Sequence, residues 1–537
     1  MKKYSILAIR VLLALSIIIS NVLFVGCGKK GNDVSNIGGD IGSGWSSSTE
    51  SKGEQHTSGG SSVTYNDEIK KVDFSPMPEL NNVTMTQAEM EAAYRPYTDW
   101  RIYSIRTTKS TITTPEGCTS WYVSPNGSDK NDGKTPGTAF KSLSKVNDVR
   151  MNKGDVVYFE CGGLWRGSII AQAGVTYTSY GEGAKPQFRS YSENAAGKDK
   201  WLPTDTPNVY VFYKTVASDV GTIVFNEGEA HGIKALAQGG IDVTTNKEFK
   251  NYKDLNKDLH FVYDKSKLYL RSDKGNPSDR FSSIELSANR HFVSVRSGTN
   301  NVTVDNLCFK YGGAHGVGAQ TCDGLTITNC EFYWIGGGLQ NGSTRWGNGV
   351  EIYGQATNYR IENCYFRQIY DAAVTFQYDS EGVTTPLKME NIFFINNVME
   401  YCNYGVEYFL SNTESGDKIN NINIENNLMW YGGEGLCSQR YNKSQDAHIK
   451  SWAHNNPVTA NFTIKNNLFA LGRHALVETI SSKGGQNPVY SNNIYIQKYR
   501  YNLGYIGQNR NTKLGFTVEN IKNQLNDKTG KYILVKN

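Results

Sequence analysis

Residues 301–309 read NVTVDNLCF, and the pattern of this nonapeptide returns six more times before the end of the chain. Each copy has alternating apolar residues, then an asparagine at a fixed place, then a further apolar pair. Alternation with a period of two predicts a β-strand, and recurrence every 23–40 residues predicts the stacked coils of a solenoid. The copies are NVTVDNLCF (301–309), GLTITNCEF (324–332), NYRIENCYF (358–366), NIFFINNVM (391–399), NINIENNLM (421–429), NFTIKNNLF (461–469) and NPVYSNNIY (487–495).

The fixed asparagine predicts which kind of solenoid the coils build. Asparagine tolerates the left-handed bend between two strands, and its amide can bond the same residue of the next coil. A right-handed parallel β-helix needs such a residue once per coil, with neighbouring coils about 4.8 Å apart. We therefore expect an all-β, right-handed parallel β-helix. The residues are Asn306, Asn329, Asn363, Asn396, Asn426, Asn466 and Asn492.

The segment upstream of the repeat supports this fold by resemblance. Residues 121–169 read WYVSPNGSDKNDGKTPGTAFKSLSKVNDVRMNKGDVVYFECGGLWRGSI, a strand, a turn, a short helix and two strands. This run resembles the opening coils of exported β-helix proteins of the pectate-lyase-like superfamily, and the later coils resemble bacterial β-helix glycoside hydrolases in pattern. The resemblance implies a carbohydrate-active protein. The DKNDG turn (129–133) could bind calcium, although its acidic ligands are incomplete, so the sequence assigns no cofactor with certainty and calcium stays an alternative.

The N-terminus has the features of an export signal. Lys2 and Lys3 precede an apolar run over residues 11–25, which is too short to favour a membrane-spanning helix. The run ends in LFVGC (23–27), which resembles the lipobox of bacterial lipoproteins and implies that Cys27 carries a lipid; plain secretion is the alternative. We expect an exported protein anchored by lipid to the outer face of the cell membrane or cell surface.

The composition divides the chain into seven parts. The repeat vanishes over 195–287, where hairpin signals predict an inserted antiparallel β-subdomain. A capping box at Thr86–Glu89 predicts a short helix, and residues 517–526 predict an amphipathic one. The expected parts are a signal peptide (1–26), a disordered Gly/Ser-rich tether (27–66), an N-terminal extension (67–117), the first coils (118–194), the insert (195–287), the main coils (288–510) and a C-terminal cap (511–537).

The charge of the chain excludes one class of partner. The formal net charge is +5 over 537 residues, and the basic residues form no long block. A nucleic-acid partner is therefore not indicated, and a monomer that meets a polysaccharide is expected.

A second strand in each late coil predicts where the chemistry lies. GVEIY (349–353), AVTFQ (373–377), GVEYF (405–409), GLCSQ (435–439) and ALVET (475–479) align by their apolar residues. The alignment predicts an exposed column of Glu351, Thr375, Glu407 and Cys437, with a second column beside it. Polar and aromatic residues around these columns are candidate substrate-binding residues: His315, Arg345, Trp346, Asn348, Tyr370, Gln377, Glu434, Gln439, Arg440 and His474.

Three acids are candidate catalytic residues. Glu351 and Glu407 lie two coils apart, about 9.6 Å between backbones, which suits an inverting glycosidase. Asp371, on the coil between, could pair with either glutamate at the shorter spacing of a retaining enzyme. Glu351 could instead only form a salt bridge with Arg345 or with an arginine of a neighbouring coil. The sequence leaves these geometries open.

Three functions follow from these features. The first is a glycoside hydrolase that cleaves a complex polysaccharide with a carboxylate pair in a groove along the β-helix. The second is a polysaccharide lyase acting by β-elimination on a uronate-containing polymer. The third is a surface protein that binds glycan without catalysis, because fold alone does not fix function.

Overall fold

The structure is a computed structural model that describes residues 83–235, 248–340, 344–379, 383, 385–410, 417–440, 445–452, 458–479, 487–507, 510 and 512–536. The predicted signal peptide, the tether, the lipidation site Cys27 and the start of the N-terminal extension lie outside these residues. They therefore stay predictions. No helix within the described ranges is both long enough and apolar enough to cross a membrane.

The chain is a right-handed parallel β-helix, as the repeat predicts. Its strands stack, coil upon coil, in three columns that we call sheets 1, 2 and 3. Sheet 1 ends at the repeated asparagine, sheet 2 follows it, and sheet 3 comes last in each coil. Several strands run through the corner between two sheets, which is why the longest have 12–14 residues.

The strands of each sheet pair in parallel register. Sheet 1 contains Ser120–Val123, Val156–Glu160, Thr176–Tyr180, Val302–Asp305, the ends of Val317–Thr328 and Val350–Glu362, then Lys388–Ile395, Lys418–Glu425, Val458–Lys465 and Val489–Ser491. Sheet 2 contains Leu164–Arg166, Gln187–Arg189, Cys308–Gly312, Glu331–Ile335, the starts of Tyr365–Tyr378 and Val398–Leu410, then Leu428–Trp430, Leu468–Ala470, Ile494–Lys498, Lys531–Lys536 and Val83–Thr86. Sheet 3 contains Ile169–Ile170, Val293–Val295, the starts of Val317–Thr328 and Val350–Glu362, the ends of Tyr365–Tyr378 and Val398–Leu410, then Ala447–Ser451, Val477–Thr479 and Asn502–Ile506, the last paired with Thr512–Gly515.

The predicted insert is a separate small sheet. Its five strands pair antiparallel except for one short parallel contact, and they enclose their own apolar core. The strands are Trp201–Pro203, Val209–Phe212, Ile233–Lys234, His260–Asp264 and Lys267–Arg271. A further antiparallel group ties the insert to the edge of sheet 2: Val220–Phe225, Ala230–His231 and Ile284–Ala288.

Equivalent residues of successive coils fill the interior of the solenoid. Phe309, Phe332 and Phe366 stack with ring centroids 5.2 and 4.8 Å apart. Such a column arises because parallel, in-register coils place the same repeat position one strand spacing apart. The core is therefore continuous along the helix, and the outward residues of each sheet are held on a rigid frame.

The repeated asparagines lie in the left-handed region, as predicted, with φ between 53° and 60°. A second ladder, which the sequence analysis did not single out, is formed by the residue that follows. The Nδ2 of Asn397 donates to Oδ1 of Asn427, Asn427 to Asn467, and Asn467 to Asn493, at 3.0–3.1 Å. All four side chains are fully or almost fully buried. The dipeptide Asn-Asn thus supplies a bend residue and a ladder residue in each of these coils.

Replacing Asn427 by alanine should lower the free energy of unfolding by about 2–4 kcal/mol. The change removes the acceptor of the Asn397 backbone N–H, at 3.0 Å, and the side-chain donor to the Phe394 carbonyl, at 2.9 Å. Each buried group left unsatisfied costs about 1–3 kcal/mol. Urea unfolding of the wild type and the variant measures this change in the free energy of unfolding. Asn420→Ala, on the outer face of the same coil, should stay within about 0.5 kcal/mol; equal effects would show that the ladder does not contribute.

Helices cover the sheets rather than the coil ends alone. The capping box at Thr86 and Glu89 is present, but its helix, Gln87–Thr107, has 21 residues and is not short. It lies along sheet 2, where Arg95 contacts Glu400 at 2.5 Å and Arg106 contacts the Tyr333 hydroxyl at 2.9 Å. The predicted amphipathic helix near residues 517–526 is a π-helical turn at Asn520–Gln524. Other helical segments are Pro136–Thr138, Leu143–Asp148, Asn226–Gly228, Tyr252–Asp254, Pro277–Arg280 and Gly435–Gln439.

Candidate active site

The outward column of sheet 3 carries the candidate acids. Strand register places Glu351 beside Thr375 and Thr375 beside Glu407, as the alignment predicts. The prediction that this column is exposed is wrong: Glu351, Asp371 and Glu407 are each 5 % exposed, and Thr375 is fully buried. The acids are therefore desolvated groups under other chain segments, which changes their protonation.

The fourth place of the column was assigned to the wrong residue. Cys437 lies in a 3₁₀-helix, Gly435–Gln439, rather than in a strand. The strand that pairs with the Glu407 strand is Ala447–Ser451, so Lys450 lies beside Glu407. The following coil, 475–479, was aligned one residue out of register, because Val477 pairs with Ile449 and Glu478 follows Lys450 in the outward column.

Glu351 is held by side chains of its own and neighbouring coils. Its Oε2 accepts hydrogen bonds from the side-chain amides of Asn348 and Gln377, the latter at 3.4 Å. No ion pair joins Glu351 to Arg345 within the described part of the chain. Burial raises the pKa of Glu351 to about 7, against the smaller opposing effect of the two amides. The carboxyl is therefore poised to carry a proton near neutral pH.

A neutral histidine favours the protonated form of Glu351. The Nδ1 of His315 lies 3.3 Å from Oε2 of Glu351 and accepts the backbone N–H of Asn348 at 2.9 Å. Nδ1 is therefore the unprotonated nitrogen, and burial lowers the pKa of His315 to about 3. The His315 ring stacks on His291 at 4.9 Å. An anionic Oε2 facing this lone pair would be repelled, whereas a protonated carboxyl is not.

Asp371 is placed by a β-bulge. In the pairing of the two longest late strands, Tyr370 and Asp371 together face the single residue Asn403. Bulges of this kind re-aim a side chain and are common beside active sites. The Oδ1 of Asp371 forms an ion pair with Nη1 of Arg440 at 2.7 Å. Burial raises the pKa of Asp371 to about 6; Arg440 opposes this, and the neighbouring Glu351 adds to it.

Two arginines surround the ring of Tyr370. The guanidinium of Arg345 lies 4.6 Å from the ring centroid, and that of Arg440 lies 5.5 Å from it and 5.5 Å from the ring of Tyr404. Arg345 comes from a hairpin, Gly338–Gln340 with Thr344–Trp346, and Arg440 follows the 3₁₀-helix. Burial lowers the pKa of Arg440, but the attraction of Asp371 and other groups outweighs it, so Arg440 stays charged.

Several buried polar atoms in this cluster have no hydrogen-bond partner within the described residues. Leaving such an atom unsatisfied costs about 1–3 kcal/mol, so natural proteins rarely keep several together without a purpose. A ligand rich in hydroxyl groups would satisfy them. The atoms are Nη1 and Nη2 of Arg345, Oγ1 of Thr375, Oδ1 and Nδ2 of Asn403, and the hydroxyl of Tyr404.

Other predicted binding residues have partners of their own. Gln439 accepts from the backbone N–H of Lys234 and donates to the Gly232 carbonyl, both at 3.1 Å, so it ties the main coils to the insert. His474 stacks on Tyr505 at 5.1 Å.

Glu434 and Trp346 are two further residues that were predicted to bind substrate. Lys498 and Arg473 are the charged neighbours of Glu434, whose pKa is raised mainly by burial. Trp346 is half-buried at the end of the hairpin that carries Arg345.

The sequence analysis missed a charged group beside Glu407. Lys450 and Glu478 are fully buried and form an ion pair at 2.5 Å, to which Arg510 adds a contact at 2.9 Å. The Lys450 ammonium also lies 3.9 Å from the ring of Trp452. The alternation in AHIKS (447–451) is the signal that would have found this strand.

The acidic residues of the turn that was considered for calcium, residues 129–133, accept hydrogen bonds from nearby backbone N–H groups. Asp129 accepts the backbone N–H groups of Lys141 and Ser142 at 2.9 Å, and Asp132 accepts that of Lys134 at 3.0 Å. Within the ranges that the structure covers, no group of three or more His, Cys, Asp or Glu side chains is arranged to hold a metal ion. The Asp129 and Asp132 carboxylates stabilise the local backbone by accepting these N–H groups.

Comparisons with known proteins extend to the fold only. No protein-family model and no curated protein sequence matches the chain. Similar solved structures include a protein described as a glycoside hydrolase (10 % identity, 78 % of this chain and 95 % of the other, TM-score 0.47). XylC in complex with xylose matches at 14 % identity, over 73 % and 70 %, with a TM-score of 0.38. The lacto-N-biosidase of Eubacterium ramulus matches at 13 % identity, over 84 % and 70 %, with a TM-score of 0.33.

At these identities and TM-scores the matches carry no argument about the reaction of this chain. Its own stacked coils give it a right-handed parallel β-helix, the fold that the resemblance implied. The chemistry must be argued from the site.

Proposed function

We propose that the chain is a glycoside hydrolase in which Glu351 is the general acid and Asp371 the ionised carboxylate. One observation carries the proposal: a desolvated carboxyl, with its pKa raised to about 7, lies on the strand next to a carboxylate paired with arginine. The pKa of Glu351 lies above that of Asp371, so near neutral pH one carboxyl can hold a proton while the other is ionised, as acid-assisted glycoside cleavage requires.

Each group has a defined task in this reaction. Glu351 gives its proton to the glycosidic oxygen as the bond to the sugar breaks. Asp371 acts on the anomeric carbon from the other face, and the positive charge of Arg440 keeps it ionised. Glu407, which also attracts Arg440, orients that guanidinium and is a positioning residue. The unsatisfied atoms of Thr375, Asn403 and Tyr404 are suited to sugar hydroxyl groups.

A polysaccharide lyase is the second candidate, and the cation Arg345, which forms no ion pair among the described residues, favours it. β-Elimination needs a positive group on the uronate carboxylate and a base at the neighbouring carbon. The neutral His315 could take that proton, but its Nδ1 is occupied by Asn348. Hydrolysis agrees better with a protonated Glu351.

The experiment that tests the proposal is a polysaccharide panel treated with the chain from residue 66 onward. Reducing ends and ultraviolet absorbance are followed together, because elimination creates a conjugated double bond and hydrolysis does not. We expect reducing ends without absorbance. Absorbance that rises with the reducing ends would assign the lyase reaction, and binding without any product would assign a glycan-binding protein.

We further propose that this reaction takes place outside the cell, with the protein held by a lipid on Cys27. The apolar run over residues 11–25 and the LFVGC sequence support export and lipidation, and the Gly/Ser-rich segment up to residue 66 would serve as the tether. At the cell surface the protein would encounter polysaccharides that are too large to be imported. Mass spectrometry of the mature N-terminus tests the anchor: an unmodified Cys27 would contradict it.

A further inference from the structure

Arg345 is a buried cation that forms no ion pair with any residue that the structure describes. Its side chain is 4 % exposed, and its Nε donates to the carbonyl of Gly337 at 2.9 Å. Nη1 and Nη2 have no hydrogen-bond partner within the described residues. Removing a charge from water is costly, and buried charges are normally paired.

The acids around Arg345 are engaged with other cations. Asp371 pairs with Arg440 at 2.7 Å. Asp219 pairs with Lys234 through Oδ2, which also accepts the backbone N–H of Leu339 at 2.5 Å. Its Oδ1 has no hydrogen-bond partner among the described residues, and the carboxylate attracts Arg345 without forming an ion pair with it. Arg440 repels Arg345, and burial lowers the pKa of Arg345 below its ordinary value. Asp219 and Tyr370 favour the charged form of Arg345, but no ion pair among the described residues engages its terminal nitrogens.

The position of this charge connects it to the candidate catalytic acids. Arg345 lies against one face of the Tyr370 ring, and the next residue in the chain is Asp371. Its two terminal nitrogens form a planar fork, the arrangement that binds a carboxylate through two parallel hydrogen bonds. Arg440, which pairs with Asp371, contacts the same ring, so an anion bound to Arg345 would lie beside the cluster that holds Asp371.

We propose that Arg345 binds the carboxylate of a uronic acid residue next to the cleaved bond, so that the substrate is an acidic polysaccharide. This inference rests on the proposed function for the position of the cleaved bond, but the anion site itself is defined by Arg345 alone. A sulfate ester would offer the same charge and oxygen atoms, and the test separates the two. Neutral glycans would leave both nitrogens of Arg345 unsatisfied.

The test measures binding by calorimetry in the Glu351→Gln variant, which leaves ligands intact. The probes are a uronic acid oligosaccharide, its carboxyl-reduced counterpart and a neutral oligosaccharide bearing sulfate esters. We expect the uronate to bind roughly 10–100-fold more tightly than its reduced form, the range of a hydrogen-bonded pair with a charged group. Adding Arg345→Met should abolish that preference. Arg360→Met, at an exposed ion pair on sheet 1, should preserve it.

A second readout does not depend on ligand. Because Arg345→Met removes a buried charge that forms no ion pair among the described residues, its thermal unfolding temperature without ligand should not lie below that of the parent. Equal affinity for the uronate and its reduced form would overturn the inference, as would a uronate preference that survives in Arg345→Met. Tighter binding of the sulfated probe than of the uronate would overturn the carboxylate assignment.

The inference and the proposed function can fail separately. Hydrolysis of neutral glycans without any preference for uronates would overturn the inference and leave the hydrolase proposal standing. Uronate binding that depends on Arg345, with no cleavage of any glycan by the wild-type chain, would overturn the hydrolase proposal and leave Arg345 as an anion-binding residue. Binding of none of the probes would overturn the inference.

Discussion

Replacing Glu351 by glutamine should lower kcat by about 10²–10⁴-fold, the usual contribution of a general acid. Glutamine keeps the shape of the protonated carboxyl and can still accept from Asn348 through its amide oxygen, so the fold should be retained. The measurement is the rate of reducing-end formation on the best substrate of the panel. Glu478→Gln, four coils along the same column, is the matched control and should have a much smaller effect on kcat.

The pH profile of activity checks the role of Glu351 independently. An acid with a pKa of about 7 must be protonated, and Asp371, with a pKa of about 6, must be ionised. Activity should therefore fall above about pH 7 and below about pH 6, with both limits belonging to the coupled pair. An activity that keeps rising above pH 8 would contradict an acid role for Glu351.

Stability should follow the same titration. The folded pKa of Glu351 lies above its ordinary value of 4.5, so its contribution is present below about pH 4.5 and is lost as pH rises through 7. The full difference is about 3 kcal/mol. Urea unfolding between pH 4.5 and 8 should show this loss in the wild type and not in Glu351→Gln. Parallel curves would show that the carboxyl is not desolvated.

The sequence predicts the solenoid because its signal is repeated and local. An asparagine at a left-handed bend and an apolar period of two recur in seven copies of the repeat. The prediction of a β-helix therefore rests on seven independent segments. The stacking of Glu351, Thr375 and Glu407 follows from the same register. The sequence predicts which residues stack wherever the number of residues between one strand and the next is the same in successive coils.

The rest of the site could not be predicted because the coil lengths change there. The chain leaves the regular path after Trp430, forms the 3₁₀-helix that ends before Arg440, and returns to sheet 3 only at Ala447. The apolar residues of 435–439 imitate a strand, so Lys450 was missed. Burial also depends on segments distant in sequence, such as the hairpin carrying Arg345, and no local pattern reports it.

Replacing Asp371 by asparagine should lower kcat by on the order of 10³-fold, more than Glu407→Gln does. Glu351 lies close enough to Asp371 to raise the pKa of that carboxyl, and the strand of Asp371 is adjacent to that of Glu351. Glu407 lies two strands from Glu351, a backbone distance of about 9.6 Å. The two acids therefore imply different stereochemistry, since carboxyl groups about 5–5.5 Å apart retain the anomeric configuration and those about 6.5–9.5 Å apart invert it.

The first-formed product distinguishes the two arrangements. If Asp371 attacks the sugar, proton NMR during early turnover should show the anomer of the substrate, and azide should restore turnover to Asp371→Ala by forming a glycosyl azide of opposite configuration. Azide enters the space left by the carboxylate because Arg440 still supplies the positive charge. An inverted first product, with no azide adduct, would transfer the second role to Glu407 acting through water, and Asp371 would then only position Arg440.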